Sequence, residues 1–257
     1  MTISPILIIM LLAHIIGDFY LQTKNVAKEK NKSNKWLLFH GGLYSLCVAV
    51  FLFIGIAVSW YWLFLVLGTS ISHLLIDYLK RYIPKKPFII DQLLHITIII
   101  ILCWLLSQYV TMRERSTLQT ILNMFGHSPT INILTLLGLL IILKPVGILI
   151  EKGEIWDFSK DKNKPQYKII TEIRAAPDEN QKGAGKMIGY LERIIVFFLL
   201  INHQFGAIAF VLTAKSVMRF PEIGKSNNAS SLAEFYIIGT LLSMTSVFAV
   251  AFLLGLM

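Results

Sequence analysis

The stretch PILIIMLLAHIIGDFYLQ, residues 5–22, decides how this chain is read. It is apolar enough to form a membrane helix, which needs about 20 mostly apolar residues. Yet it carries His14, Asp18 and Gln22 at i, i+4 and i+8, a spacing that lines one helix face. Ionisable groups inside a span are costly and mark function by default. The stretch does not read as a cleavable signal peptide: no Lys or Arg precedes it, Asp18 interrupts it, and no small-residue cleavage pattern follows. The whole chain has the same character. It has 257 residues, 55% hydrophobic and 15% charged, with a mean hydropathy of +0.66. A soluble core of this size cannot hide that much apolar surface. Disorder is excluded by the same figures, and two cysteines exclude a disulfide scaffold. Cys47 and Cys103 read as small buried apolar residues.

The expected fold is all-α, a polytopic helical membrane protein. Spans are expected at 5–21, 36–58, 61–79, 88–110 and 131–150, then two short apolar runs at 187–201 and 205–218, and a last span at 235–256. The runs 187–201 and 205–218 flank Asn202-His203-Gln204 and are read as a hairpin, giving about eight segments; one continuous helix there would give seven. Charge supports the hairpin. Twenty of the 24 basic residues fall in alternate connections, the pattern expected of cytoplasmic loops. The net charge of +9 is therefore a topology signal with anionic-lipid contact, not a nucleic-acid signal. Two parts are expected: a four-helix His/Asp module at 1–112, and C-terminal helices at 113–257 with a cytoplasmic loop at 151–186. A short strand is expected at 166–174. Gly183-Ala184-Gly185-Lys186 fails the phosphate-loop pattern and reads as a flexible loop leading into a helix start.

The intramembrane polar residues form an ordered set. His73 and Asp77 repeat the i, i+4 spacing of His14 and Asp18, and so do Asp91 and His95; His40 stands alone and Gln92 follows Asp91. Each of Asp18, His40, Asp77 and Asp91 lies ~5–9 Å along its helix from a flanking lysine, at about 1.5 Å per residue. Four helices thus bring imidazoles and carboxylates to one level. Such a set without thiolate suits a divalent metal, Zn, Mn or Fe. The expected ligands are His14, Asp18, His73, Asp77 and His95, with Asp91 or His40 as a further ligand or general base. Gln22 and Gln92 would orient ligands from behind. The number of groups allows two metals, or one metal with a base.

The C-terminal half offers different chemistry. Lys144-Pro145 interrupts a span, and the proline frees a carbonyl. Lys80, Lys144, Arg193, Lys215 and Arg219 are candidate contacts for a phosphate or lipid headgroup. Glu192 and Glu234 are candidate ion-pair partners for these bases. His127 and His203 read as solvated turn histidines.

The runs from His14 to Gln22, from His73 to Lys80 and from Asp91 to His95, with the lone His40, resemble an uncharacterised bacterial family of membrane domains of unknown function, numbered 3307. The resemblance covers about residues 5–110, and Ile188–Arg193, Ala214–Ser216 and Ala233–Ser243 resemble the tail of its longer members. It implies a bacterial inner-membrane protein built around these His, Asp and Gln positions, and brings no activity with it.

From the residues, the leading expectation is a membrane-embedded metal-dependent hydrolase acting on a phosphate- or ester-bearing lipid at the cytoplasmic face. The alternatives are a cation- or proton-coupled transporter and a non-catalytic scaffold. The outer halves of the first four spans are almost wholly apolar, which ranks transport second.

Overall fold

The computed structural model describes residues 4–83, 88–110, 129–152, 179–224 and 229–257. The strand expected at 166–174, most of the 151–186 loop and His127 lie outside them. Among the described residues the structure is built from helices. Helix α1 (Pro5–Ile15) starts on a proline, whose fixed φ suits a first helical turn. It continues as a π-helical turn, Ile16–Tyr20, closed by Leu21 N–H on Ile16 O at 2.9 Å. A short α2 (Lys24–Glu29) is capped by Thr23, whose Oγ1 accepts from Val26 N–H. Then come α3 (Asn34–Gly55), α4 (Trp60–Leu79) with a 3-10 turn at Lys80–Tyr82, and α5 (Phe88–Leu106). Helices α6 (Pro129–Lys152), α7 (Glu179–Ile201), α8 (Phe205–Gly224) and α9 (Ala229–Leu253) complete the chain.

The protein is a polytopic helical membrane protein. Asn34–Gly55, Trp60–Tyr82, Phe88–Leu106, Asn132–Glu151 and Tyr236–Leu253 are each long and apolar enough to cross a bilayer; Pro5–Tyr20 and Phe205–Met218 are shorter apolar helices. Their outward surfaces are apolar, as a lipid-facing surface requires: Leu38, Phe53, Phe64, Leu67, Ile71 and Trp104 are all exposed.

The two apolar runs after residue 186 are two helices. His203 takes φ 57, Gln204 N–H bonds Leu199 O at 2.8 Å and His203 N–H bonds Leu200 O at 2.9 Å. This is a Schellman stop, with a histidine where glycine is commoner. It rules out one continuous helix. Gly183 to Lys186, expected as a flexible approach, lie inside α7, which starts four residues earlier at Glu179.

The chain divides into two compact units, Met1–Leu140 and Ile141–Met257. The boundary falls within α6, downstream of the one drawn at 112 from sequence. In the first unit α1, α3, α4 and α5 pack in a ring, each against the next and α5 back against α1, with α2 lying on α3. One end of this bundle is a continuous apolar plug that includes Ile9, Met10, Val48, Leu52, Leu65 and Ile99. Tyr44 is fully buried at its edge. Gly17 makes room for it: a Cβ there would lie 2.9 Å from Tyr44 Cδ2. Gly17→Ala should therefore displace the Tyr44 ring and cost about 1–3 kcal/mol as overpacking, read by thermal unfolding in detergent.

In the second unit α7, α8 and α9 pack on one another around Val196, Phe197, Leu200, Val247 and Ala251. Pro145 lies within α6 and leaves the helix short of one N–H. One turn earlier the Ile142 carbonyl accepts from Arg193 Nε at 2.6 Å.

Candidate metal centre

The ring of four helices turns its polar residues inward. Asp18, His40, His73, Asp77, Asp91 and His95 are each at most 8% exposed. The π-helical turn places Asp18 opposite His40 of α3 and the His73–Asp77 pair of α4. His40 Nε2 lies 3.2 Å from His73 Nε2, 3.3 Å from Asp18 Oδ1 and 3.5 Å from Asp77 Oδ2. His73 Nε2 lies 3.5 Å from Asp77 Oδ2 and 3.8 Å from Asp18 Oδ1. One ligand atom from each of these four residues falls within 4.8 Å of all the others, a grouping that could hold a metal ion. A second grouping of the same kind is Asp77, Asp91 and His95.

The first set has the size of a tetrahedral ligand shell. At metal–ligand distances of about 2.0–2.1 Å, tetrahedral geometry sets neighbouring ligands roughly 3.3–3.4 Å apart. Five of its six edges, 3.2 to 3.8 Å, bracket that value, and the sixth, between Asp18 and Asp77, is within 4.8 Å.

Gln92 and His14 support the set from one side. Gln92 Nε2 donates to Asp18 Oδ2 at 3.1 Å, and its Oε1 lies 3.2 Å from His14 Nε2. His14 Nδ1 is 3.2 Å from Tyr44 OH. Both nitrogens of His14 are thus engaged in hydrogen bonds; it stands in the wall of the pocket, in neither ligand grouping. Gln22 does not continue the His14/Asp18 face, because the helix ends at Tyr20; it lies in the connection, and its Oε1 accepts from Lys30 at 2.9 Å. Asp91 pairs with Lys80, so a residue expected at a lipid headgroup serves the centre instead.

Two residues here escaped the sequence reading. Lys30 was counted among the loop lysines, but it is 6% exposed. Its Nζ donates to Asp77 Oδ2 at 2.7 Å and lies 3.7 Å from Asp18 Oδ1. Burial works against its charge; the Asp18 and Asp77 carboxylates outweigh that and raise its pKa above the ordinary lysine value. Nothing in the local sequence separates it from its lysine neighbours. Tyr44 stacks on His73, with ring centroids 3.8 Å apart and planes 4° from parallel. It sits four residues after His40, so the one-turn spacing was its available signal.

Arg81 holds Lys30 in place. Its Nε and Nη2 donate to the Lys30 carbonyl, Nη2 also reaches Ser33 O at 2.9 Å, and Nη1 reaches Asn34 Oδ1 at 2.5 Å. These bonds close the C-terminal end of α2 and the start of α3. Arg81→Ala should release the 30–34 turn at a cost of about 1–3 kcal/mol, measurable as faster amide exchange in that turn.

In the second unit, Lys215 Nζ pairs with Glu192 Oε2 at 2.5 Å, one of the ion pairs expected there. The Arg193 guanidinium is buried, lies 5.3 Å over the Tyr190 ring and donates to Ile142 O. Lys144 precedes Pro145 on α6, and Glu234 is exposed on α9. The Arg219 side chain lies outside the described residues. Cys47 and Cys103 are buried free thiols.

No curated protein and no solved structure matches the chain. Residues 6–125 match the family described as a protein of unknown function, DUF3307. Both ligand groupings, Lys30 and Tyr44 fall inside that segment. Over residues 6–125 the chain is similar to the DUF3307 family, and the candidate metal centre lies within the matched segment.

Proposed function

We propose that this protein is a metal-dependent hydrolase embedded in the bacterial inner membrane, acting at the cytoplasmic face on a phosphate- or ester-bearing lipid. The observation that carries the reading is the convergence of Asp18 Oδ1, His40 Nε2, His73 Nε2 and Asp77 Oδ2 at tetrahedral ligand spacing. Charge supports it. Three buried carboxylates (Asp18, Asp77, Asp91) face two ammoniums (Lys30, Lys80). A buried negative excess is costly, and a divalent cation reverses it. The two-nitrogen, two-oxygen donor set favours zinc, with Mn and Fe as the other candidates.

A divalent metal bound in this pocket with one coordination position left open would supply water acidic enough to attack at neutral pH. The chain supplies the rest. Gln92 orients Asp18, and Lys30 and Lys80 fix Asp77 and Asp91 while adding positive charge that suits an anionic substrate. The lipid assignment draws on depth, because the basic connection 22–35 adjoins the centre. It also draws on an apolar groove between α3 and α4, lined by Leu37, Leu38, Ile71, Leu74 and Leu75, with Asn34 and Tyr78 as its polar members. Such a groove has the chemistry to seat an acyl chain.

Purified protein should hydrolyse a phospholipid in mixed micelles, stop on addition of chelator and recover with Zn2+. Fully metal-loaded protein showing no chelator-sensitive release from phosphate- or ester-bearing lipids would overturn the hydrolase assignment. Transport is the second reading, favoured by the hydrogen-bonded series Tyr44–His14–Gln92–Asp18, which resembles a proton relay. The apolar plug at one end of the bundle weighs against it, since a carrier needs access from both sides. Proton flux in proteoliposomes distinguishes the two.

A further inference from the structure

A metal held by four protein ligands has no place left for water. Tetrahedral zinc sites of that kind are structural, whereas catalytic ones keep three protein ligands and an open position. The Asp18/His40/His73/Asp77 set is a four-ligand set, so by itself it explains binding better than catalysis. The second grouping, Asp77, Asp91 and His95, has three.

We propose that Asp77, Asp91 and His95 form a second metal position, that Asp77 is shared between the two, and that this three-ligand position is the one open to water and substrate. The proposal rests on reading the first set as a metal site. It has its own observation. Asp91 Oδ1 and His95 Nε2 face each other 3.9 Å apart. Both are buried and neither has a hydrogen-bond partner among the described residues. The gap is too long for a hydrogen bond. It exceeds the roughly 3.3–3.4 Å between two tetrahedral ligands on one ion by about half an ångström, a gap that a small shift of either side chain onto an ion would close. Asp91 and His95 are 2% and 3% exposed, so two polar atoms without partners are buried facing each other. Leaving such groups unsatisfied is costly, and a cation satisfies both.

The rest of the site agrees. The other oxygen of Asp91 is held by Lys80, which fixes the carboxylate without using Oδ1. The Lys80 side chain is 25% exposed, so a partly exposed cation stands beside the second position. Asp77 is common to both groupings, the usual arrangement for a carboxylate between two metals about 3.5–4 Å apart.

The test is metal stoichiometry, which needs no substrate. The full chain in detergent is stripped with chelator, titrated with Zn2+ alone and with Mn2+ alone, and assayed for bound metal per chain. The wild type should take up two equivalents. His95→Gln and Asp91→Asn should each take up one and keep the tighter one. Uptake of a single equivalent by the wild type, unchanged in both variants, overturns the second position and leaves the first standing. Uptake of two equivalents that persists in both variants overturns the assignment of its ligands. No uptake by the wild type overturns both positions together. The wild-type titration decides the number of positions even if a variant fails to fold.

Discussion

Asp77→Ala should empty the centre. Asp77 belongs to both ligand groupings and is the closest carboxylate to Lys30, at 2.7 Å. Its removal takes a ligand from each metal position and leaves a buried ammonium with Gln22 Oε1 and, 3.7 Å away, the Asp18 carboxylate. Bound metal should fall at least tenfold. Breaking one partner of a buried pair also costs roughly 3–5 kcal/mol of stability. Both effects are measurable on one preparation, by elemental analysis and by thermal unfolding in detergent. Asp77→Asn separates them: it keeps the volume and some hydrogen bonding, so more of the fold survives, while the anionic ligand is lost. A variant that keeps its full metal content would remove Asp77 from the ligand set.

Lys30→Met should make stability depend on metal more steeply. The Lys30 ammonium lies against both Asp18 and Asp77, and a divalent cation at the first position would neutralise the same two carboxylates. With the ammonium gone, the metal-free protein holds two buried carboxylates at close range with that compensation removed. The metal-loaded protein still has its cation. The stability gap between chelated and loaded protein should widen by about 3 kcal/mol, seen as a larger shift in Tm on adding Zn2+. If Lys30 were instead the permanent counter-ion of a metal-free polar network, the variant would lose stability equally with and without metal.

The fold was legible because apolar length and charge alternation are strong, redundant signals. The helices from residue 34 to residue 106 fall close to the spans read from hydropathy, and a basic connection, residues 80–87, separates the last two of them. The His203 turn was legible for a similar reason: Asn202-His203-Gln204 is polar between two apolar runs, and only a hairpin kept the basic residues on one side. The one-turn His/Asp spacing in α1, α4 and α5 was also visible, and these residues do share one buried pocket. What could not be read was which groups meet. His14 and His73 have the same local signature. One spends both nitrogens on Tyr44 and Gln92, and the other faces Asp18, His40 and Asp77. That difference is set by helix rotation and by the π-helical turn at Ile16–Tyr20, which has no distinct sequence mark. Lys30 was hidden by its own neighbourhood, since one lysine among several looks like topology. Its burial depends on Arg81, 51 residues away, closing the turn over it.

The central claim is that Asp18, His40, His73 and Asp77 hold a metal ion. Elemental analysis of protein purified from metal-replete medium tests it most directly, with His73→Gln beside the wild type. The account predicts at least one divalent metal per wild-type chain and its loss in the variant. A wild-type content near zero, in folded and monodisperse protein, would contradict it.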